Sequence, residues 1–326
     1  PSHGFGGITG KVELEATGKL YVKDVFIKNQ PEPHTIEVEV RAANETGASV
    51  TNKELCLEIK EHPNGQTVYR KNIRLESLKE GENLQTYQIK VPNAHLWSVD
   101  SPRLYDLRIS LNDDAVTERF GFRWFEIKDI KGDRQFFLNG KRIVLRTAIS
   151  WGFWPYNGIT PSDELAKRQI TIAKELGLNM LNFHRNIGQT NILDYADELG
   201  LLYFEEPGGN QYPIKNFNDN DKQSNFYFAY RNEKLARMIK RDRNHPSLII
   251  YNLHNERGAY PQTQDYDQMR MAHALDPTRI LTYNSSNGEN PAEEHNTRFK
   301  LHLMPYDTTL YDYGWYGRHH AGGPGS

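Results

Sequence analysis

Residues 241–258 read RDRNHPSLIIYNLHNERG, and the organisation of the whole chain can be worked out from them. Residues 248–251 form a short apolar run after a proline, a pattern typical of a strand buried on both faces of a parallel sheet. The run gives way to three polar residues, His254, Asn255 and Glu256. In a barrel of alternating strands and helices, the carboxyl ends of the strands carry the chemistry. A carboxylate held there beside an amide suits general acid/base catalysis on a neutral polar substrate.

This order of residues, DRNHPS followed by a hydrophobic strand and Asn-Glu, resembles the acid/base motif of glycoside hydrolase family 2. That family includes β-galactosidases, β-glucuronidases and β-mannosidases. Two other segments add to the resemblance: residues 96–105, LWSVDSPRLY, are similar to a signature of the family's sandwich domain. Residues 120–123 followed by 137–141 are similar to its connection to a barrel. The competing interpretation of Glu256 is a surface carboxylate that caps the next helix.

Composition limits the classes of protein and partner. At 326 residues the chain is long enough for two domains, each with its own core. A formal net charge of -2 gives no electrostatic case for nucleic acid or a membrane surface as partner, and no apolar run approaches the length of a bilayer span. Cys56 is the single cysteine, so an intrachain disulfide is excluded. The compartment is not fixed by the sequence, and a periplasmic or secreted location stays open.

Residues 21–126 show an all-β pattern. Ile36, Val38 and Val40 alternate with charged residues, as expected of a half-buried strand, and similar short segments recur between Asn, Gly and Pro. This spacing predicts an immunoglobulin-like β-sandwich, and residues 1–20 are expected to be the tail of a preceding β domain. Three aromatic residues are expected in the core: Trp97, Tyr105 and Phe122. The predicted strands lie around 36–40, 55–59, 68–69, 87–91, 104–111 and 118–125.

From residue 127 to residue 326, strands alternate with helices, which predicts a parallel sheet. The family resemblance makes this a (β/α)8 TIM barrel, incomplete because about six of eight strands are found. Thr160 is predicted as an N-cap with Pro161 at the first helical position, and Gly177 as the end of that helix. The predicted strands are 143–145, 179–183, 201–205, 248–251, 280–283 and 299–303, and the predicted helices include 191–199, about 230–241, and 265–275.

The resemblance implies a retaining exo-β-glycosidase acting on an oligosaccharide or β-glycoside. Such enzymes use two carboxyl groups about 5 Å apart. By resemblance Glu256 is the general acid/base, and the nucleophile lies at the end of strand seven, beyond Ser326. We therefore expect a fragment that lacks the family's jelly-roll domain and the end of the barrel, inactive alone and possessing an unpaired sheet edge that favours a homo-oligomer. β-Galactosidase is the first choice of activity and β-glucuronidase the second.

The resemblance also implies substrate-binding residues at other strand ends. Asn255 is expected to bond a sugar hydroxyl, although a strand-end amide also satisfies backbone groups. Glu205 and Glu206 are expected to tune or brace the pocket, the alternative being a solvated loop. His184 and Arg185 occupy a place where the family commonly has Arg-x-x-His. This sequence departs from that pattern, which leaves substrate identity open and assigns a pocket role to one of the pair.

Later segments carry further candidates. His302 and Tyr306 follow the sixth predicted strand and either face the pocket or are structural. Trp151, with the aromatic residues Trp154 and Tyr156 after it, forms a sugar platform or closes a loop. We expect no metal and no cofactor, because no metal-ligand spacing occurs. The rival function from another class is a non-catalytic carbohydrate-binding or interaction module on the same scaffold, and a metal-dependent hydrolase is the third possibility.

Overall fold

The computed structural model describes residue 8 and residues 11–131, 133–150, 161–208, 222–255 and 263–285. The chain divides into two compact units. The first contains the chain up to Trp124 together with Asp197–Gly200 and Arg243–Pro246, and the second contains the remainder. Within the described ranges, no helix is both long enough and apolar enough to cross a membrane.

The first unit is a β-sandwich of two antiparallel sheets, as predicted. A three-stranded sheet has the order β1-β2-β5 and a four-stranded sheet the order β4-β3-β6-β7. Alternate residues of both sheets enter one hydrophobic core, in which Ile36, Val38 and Val40 of β2 lie beside residues of β3 and β6. The strands are β1 (Leu20–Asn29), β2 (Thr35–Asn44), β3 (Val50–Glu61), β4 (Thr67–Leu78), β5 (Gly81–Lys90), β6 (Tyr105–Leu111) and β7 (Asp114–Phe120).

The predicted strand 118–125 is right only for residues 118–120, which end β7, because the chain leaves β7 at Phe120. The Trp97 backbone N–H donates to the Phe122 carbonyl at 2.8 Å, and its indole Nε1 donates to the Asp197 carbonyl at 2.8 Å. A Cβ on Gly121 would lie 2.7 Å from the Trp97 Cβ, so only glycine lets the two backbones approach this closely. Trp97, Tyr105 and Phe122 are buried, which confirms their predicted place in the core.

The segment Arg243–Pro246, inside the run that carries the family resemblance, is bound by sandwich residues. The Asn244 amide accepts from the Ile27 N–H and donates to the Val25 carbonyl, both at 3.0 Å. His245 Nδ1 lies 2.6 Å from a carboxylate oxygen of Asp197. Arg123 donates to the Pro246 carbonyl at 2.9 Å. These contacts satisfy buried backbone and side-chain groups, so this part of the run is structural.

The second unit begins with an antiparallel sheet of three strands, β8 (Phe125–Ile130), β9 (Asp133–Leu138) and β10 (Lys141–Ile143). This corrects the prediction of 143–145 as the first barrel strand. The side chain of Asn179 accepts from the Arg146 N–H and donates to the Val144 carbonyl, at 2.7 and 2.8 Å. Residues 144–146 therefore bind the Asn179 side chain and form no strand. The first described parallel strand is β11 (Thr147–Ser150).

Five described parallel strands follow the chain order β11-β12-β13-β14-β15, as expected of successive strands of a TIM barrel. The cap of the first helix is corrected: Ser162 is the N-cap and accepts from the Leu165 N–H, while Thr160 lies outside the described residues. Gly177 has φ +80° and ends that helix as predicted. The sixth predicted strand, 299–303, also lies outside the described ranges. The elements are α1 (Asp163–Glu175), β12 (Met180–Phe183), α2 (Thr190–Leu199), β13 (Leu202–Glu205), α3 (Lys222–Asp242), β14 (Leu248–Asn255), α4 (Thr263–Leu275) and β15 (Ile280–Ser285).

Two of these elements are longer than predicted. The helix α3 starts at Lys222, eight residues before the expected 230. The early start was missed because residues 226–230 are mostly aromatic and partly exposed, and so show no apolar stripe. The strand β14 continues through the polar residues to Asn255, where the sequence suggested that the strand ends at Tyr251. The polar positions therefore belong to the strand itself, which fixes their backbone more firmly than a loop would.

Candidate active site

The parallel register places the predicted site residues at one edge of the sheet. Phe183 of β12 pairs with Glu205 of β13, which pairs with Tyr251 of β14. His184, Glu206 and Asn255 therefore follow the same edge, at the carboxyl ends of their strands. Asn255 is the last residue of β14, and its side chain lies outside the described part of the structure, as do Glu256, Trp151, His302 and Tyr306.

The turn after β12 is held by the residues that follow β13. Arg185 has φ +57°, a left-handed conformation that a side chain rarely adopts, and its backbone N–H donates to Glu206 Oε2 at 2.9 Å. A Cβ on Gly208 would lie 2.2 Å from the Arg185 carbonyl oxygen, so glycine alone fits there. His184 is buried and its N–H donates to the Ser150 carbonyl. The structure thus brings together His184, Arg185 and Glu206.

Glu205 lies beneath the same turn and is fully buried. One oxygen accepts from the Gly188 N–H at 2.7 Å and lies 3.6 Å from Nη2 of Arg241. That guanidinium also donates to the Gly188 carbonyl and forms a bidentate pair with the carboxylate of Asp242 at 2.7 Å. Glu205 therefore binds the backbone N–H of Gly188 and Arg241 binds its carbonyl. These two contacts fix the turn after β12.

Burial, reinforced by the neighbouring Asp242 carboxylate, raises the pKa of Glu205 well above its ordinary value. The folded protein therefore favours the protonated form of Glu205 more than an exposed glutamate would. A protonated, buried carboxyl group is unsuited to nucleophilic attack. Its contacts with Gly188 and Arg241 brace the turn after β12.

This protonation makes a testable prediction about stability. In the unfolded chain Glu205 ionises near its ordinary pKa of 4.5, whereas the folded protein keeps it neutral to higher pH. Its contribution to stability is therefore complete below about pH 4.5 and is lost as pH rises through the raised pKa. Glu205→Gln preserves the shape and removes the ionisation. We expect the variant to gain stability over the unmodified protein as pH rises, by up to about 1.4 kcal/mol per pH unit.

The free energy of unfolding in urea, measured between about pH 5 and pH 8, checks this expectation. Glu175→Gln, at an exposed position near the end of α1, is the matched control and should run parallel to the unmodified protein. Parallel curves for Glu205→Gln as well would show that the folded protein ionises Glu205 like an exposed glutamate.

Sequence reasoning missed two members of this group, Arg241 and Asp242. They lie at the end of α3, more than thirty residues after Glu205, and no sequence spacing connects them to β13. The available signal was their place in the sequence: Asp242 is the first residue of the DRNHPS run and Arg241 directly precedes it. Among the residues that the structure describes, no group of three or more His, Cys, Asp or Glu side chains is arranged to hold a metal ion.

Comparisons with known proteins agree with this architecture. The family profile described as Glycosyl hydrolases family 2 matches residues 20–123. The profile described as Glycosyl hydrolases family 2, TIM barrel domain, matches residues 127–314. The two matches correspond to the β-sandwich and to the part of the chain that contains the five parallel strands.

Individual relatives point the same way. A β-galactosidase of Thermoanaerobacter pseudethanolicus is 29% identical over 283 residues, which cover 84% of this chain and 36% of that protein. The crystal structure of Parabacteroides merdae β-glucuronidase is 26% identical with a TM-score of 0.62, covering 81% of this chain and 33% of that one. A family 2 member from Bacteroides cellulosilyticus, 21% identical with a TM-score of 0.74, covers 93% of this chain and 44% of that one and shares the fold.

This chain thus spans about a third of the length of the curated β-galactosidase it matches. One family profile alone covers more than half of the 326 residues, and the sandwich profile covers most of the rest. The motif of residues 242–256, the β-sandwich and the consecutive parallel strands are all accounted for by one assignment: the chain belongs to glycosyl hydrolase family 2.

Proposed function

We propose that the protein is a retaining exo-β-glycosidase in which Glu256 is the general acid/base. The observation that carries the proposal is the place of Asn255 at the carboxyl end of β14, with Glu256 next in sequence, in a chain of this family. The strand β14 brings Asn255 to the edge where barrel enzymes perform their chemistry, and Glu256 follows it in the sequence. Glu256 protonates the departing glycosidic oxygen and then activates the water that completes hydrolysis.

The nucleophile is assigned to a strand-end carboxylate outside the described residues. The two described candidates are engaged otherwise, since Glu205 is buried beside Asp242 and Glu206 accepts from the Arg185 backbone. Glu206 and Glu205 instead shape the turn that carries His184 and Arg185. In this proposal that turn lines the sugar pocket, and Asn255 bonds a hydroxyl beside the reacting carbon in the transition state.

A β-galactoside is the first choice of substrate, supported by the named function of the Thermoanaerobacter relative. A β-glucuronide is the second, supported by the Parabacteroides structure. The two sugars differ in the configuration at carbon four and in the group at carbon six, where a uronic acid adds a negative charge that requires a cationic or amide partner.

The test is a screen of the full-length protein on 4-nitrophenyl β-galactoside, β-glucuronide and β-mannoside, with α-galactoside as control. We expect hydrolysis of the β-galactoside at the highest kcat/KM, no hydrolysis of the α-glycoside, and a β-anomer as the first-formed sugar by NMR. Formation of the α-anomer would contradict retention. Binding of sugars without hydrolysis would favour the carbohydrate-binding alternative.

A further inference from the structure

The last residues of β14 are held by the side chain of Asn252 on the same strand and by the next strand, β15. Asn252 is fully buried, and its Nδ2 donates a short hydrogen bond to the His254 carbonyl on the same strand. The hydroxyl of Thr282, its direct partner on β15, donates to Asn252 Oδ1. The His254 carbonyl belongs to the planar peptide that also contains the Asn255 nitrogen. The Asn252 amide therefore sets the orientation of the backbone at the point where Asn255 begins.

The His254 side chain is held in place by residues of the helices α3 and α4. Its Nε2 lies 3.3 Å from Oδ1 of Asp265 on α4, and the same oxygen lies 2.9 Å from Nη1 of Arg231 on α3. All three side chains are buried. Arg231 is itself fixed, because its Nη2 donates to the Gln264 carbonyl at 3.3 Å and its guanidinium lies 4.8 Å from the Phe228 ring centroid.

Burying a carboxylate and a guanidinium costs desolvation energy that an apolar pair would avoid. Such a pair is useful where it fixes a geometry that apolar packing leaves loose. The Arg231 guanidinium lies against the Asp265 carboxylate, and a carboxylate fixed beside the His254 ring orients that ring. The arrangement connects α3 and α4 to His254 of β14. His254 immediately precedes Asn255 and Glu256.

We propose that Asn252 and the His254–Asp265–Arg231 array are positioning groups that hold the end of β14 so that Glu256 is aimed at the glycosidic oxygen. The inference rests on the proposed function, since it assigns the acid/base role to Glu256. Proton donation requires the donor within hydrogen-bond reach of the leaving oxygen, and a mutation that misplaces a reacting group by about 1 Å costs up to about a hundredfold in rate, even when the mutated residue is remote.

Leaving-group dependence separates positioning from plain structural support. A misaimed acid slows the hydrolysis of phenyl glycosides, whose leaving group needs protonation. It has little effect on kcat/KM for 2,4-dinitrophenyl glycosides, because kcat/KM reports the formation of the glycosyl intermediate and this leaving group departs as an anion. Partial loss of folded protein slows both substrates equally. The ratio of kcat/KM for the phenyl glycoside to kcat/KM for the dinitrophenyl glycoside therefore reports on the orientation of Glu256. This ratio is independent of the amount of active enzyme.

The experiment uses three variants of the full-length protein: His254→Leu, which removes the contact with Asp265, His254→Gln, which keeps a donor at its end, and Asp265→Asn, which removes the charge. We expect His254→Leu to lower kcat/KM on the phenyl glycoside about tenfold to a hundredfold more than kcat/KM on the dinitrophenyl glycoside. His254→Gln should restore most of the loss, and Asp265→Asn should show a smaller shift in the same direction.

Tyr251→Phe is the matched control. Tyr251 is buried on the same strand, and its hydroxyl donates to Asp276 after α4 at 3.0 Å. Its removal should lower the melting temperature and leave the ratio of the two rates unchanged. An unchanged ratio in His254→Leu and Asp265→Asn, with the unmodified protein active, overturns the inference alone, and if His254→Leu does not fold, Asp265→Asn decides it. No hydrolysis of either glycoside by the unmodified protein overturns the proposed function and the inference with it.

Discussion

Glu256→Ala is expected to slow the hydrolysis of phenyl β-glycosides by about 10² to 10⁴-fold, the usual contribution of a positioned general acid. The loss should shrink as the leaving group becomes more acidic, because a dinitrophenolate departs without a proton. Hydrolysis of the glycosyl intermediate also slows, since the same residue activates water. With activated substrates the intermediate therefore accumulates, and a burst of released phenol precedes a slow steady state.

The measurement is kcat/KM for a series of aryl β-galactosides whose phenols differ in pKa, with pre-steady-state traces for the most activated member. Glu175→Ala, at an exposed site near the end of α1, is the control and should match the unmodified protein throughout. An equal loss for every leaving group, without a burst, would place Glu256 outside the acid/base role.

Asn255→Ala is expected to lower kcat with little change in KM. An amide that bonds a sugar hydroxyl mainly in the transition state stabilises the reacting complex and not the ground state. Removing one such donor from a preorganised site costs about 2 to 4 kcal/mol, which corresponds to a loss of about thirtyfold to a thousandfold. Steady-state kinetics on 4-nitrophenyl β-galactoside provide both parameters. A raised KM at constant kcat would indicate uniform binding, and no change in either would leave Asn255 a structural residue.

Much of the fold could be predicted from local pattern. Alternation in β2 and β3, and apolar runs in β12, β13 and β14, identified most strands because each pattern reports directly on burial. The prediction from local pattern failed where an apolar segment was compatible with more than one strand pairing. Residues 143–145 have the composition of a strand, but the Asn179 side chain binds the backbone at Val144 and Arg146, and Val144 is 55% exposed. No local sequence pattern predicts this contact, because Asn179 is more than thirty residues away in the sequence.

Less of the candidate site was accessible from the sequence. The strand-end positions of His184, Arg185, Glu205 and Glu206 followed from the order of strands, because parallel strands end at one edge. Their roles did not follow. The raised pKa of Glu205 comes from burial and from the neighbouring Asp242 carboxylate, so it depends on where α3 ends in space. Glu206 binds the Arg185 backbone, and that contact depends on a left-handed turn that sequence pattern does not reveal at a non-glycine residue.

The central claim, that Glu256 is the acid/base of a retaining β-glycosidase, is tested most directly by the product that Glu256→Ala forms with azide. Without the Glu256 carboxylate, azide can enter the vacated face of the glycosyl intermediate, and the anion needs no general base. We expect azide to accelerate the steady-state turnover of 2,4-dinitrophenyl β-galactoside and NMR to identify a β-galactosyl azide. Absence of acceleration by azide, or an α-galactosyl azide as product, would contradict the claim.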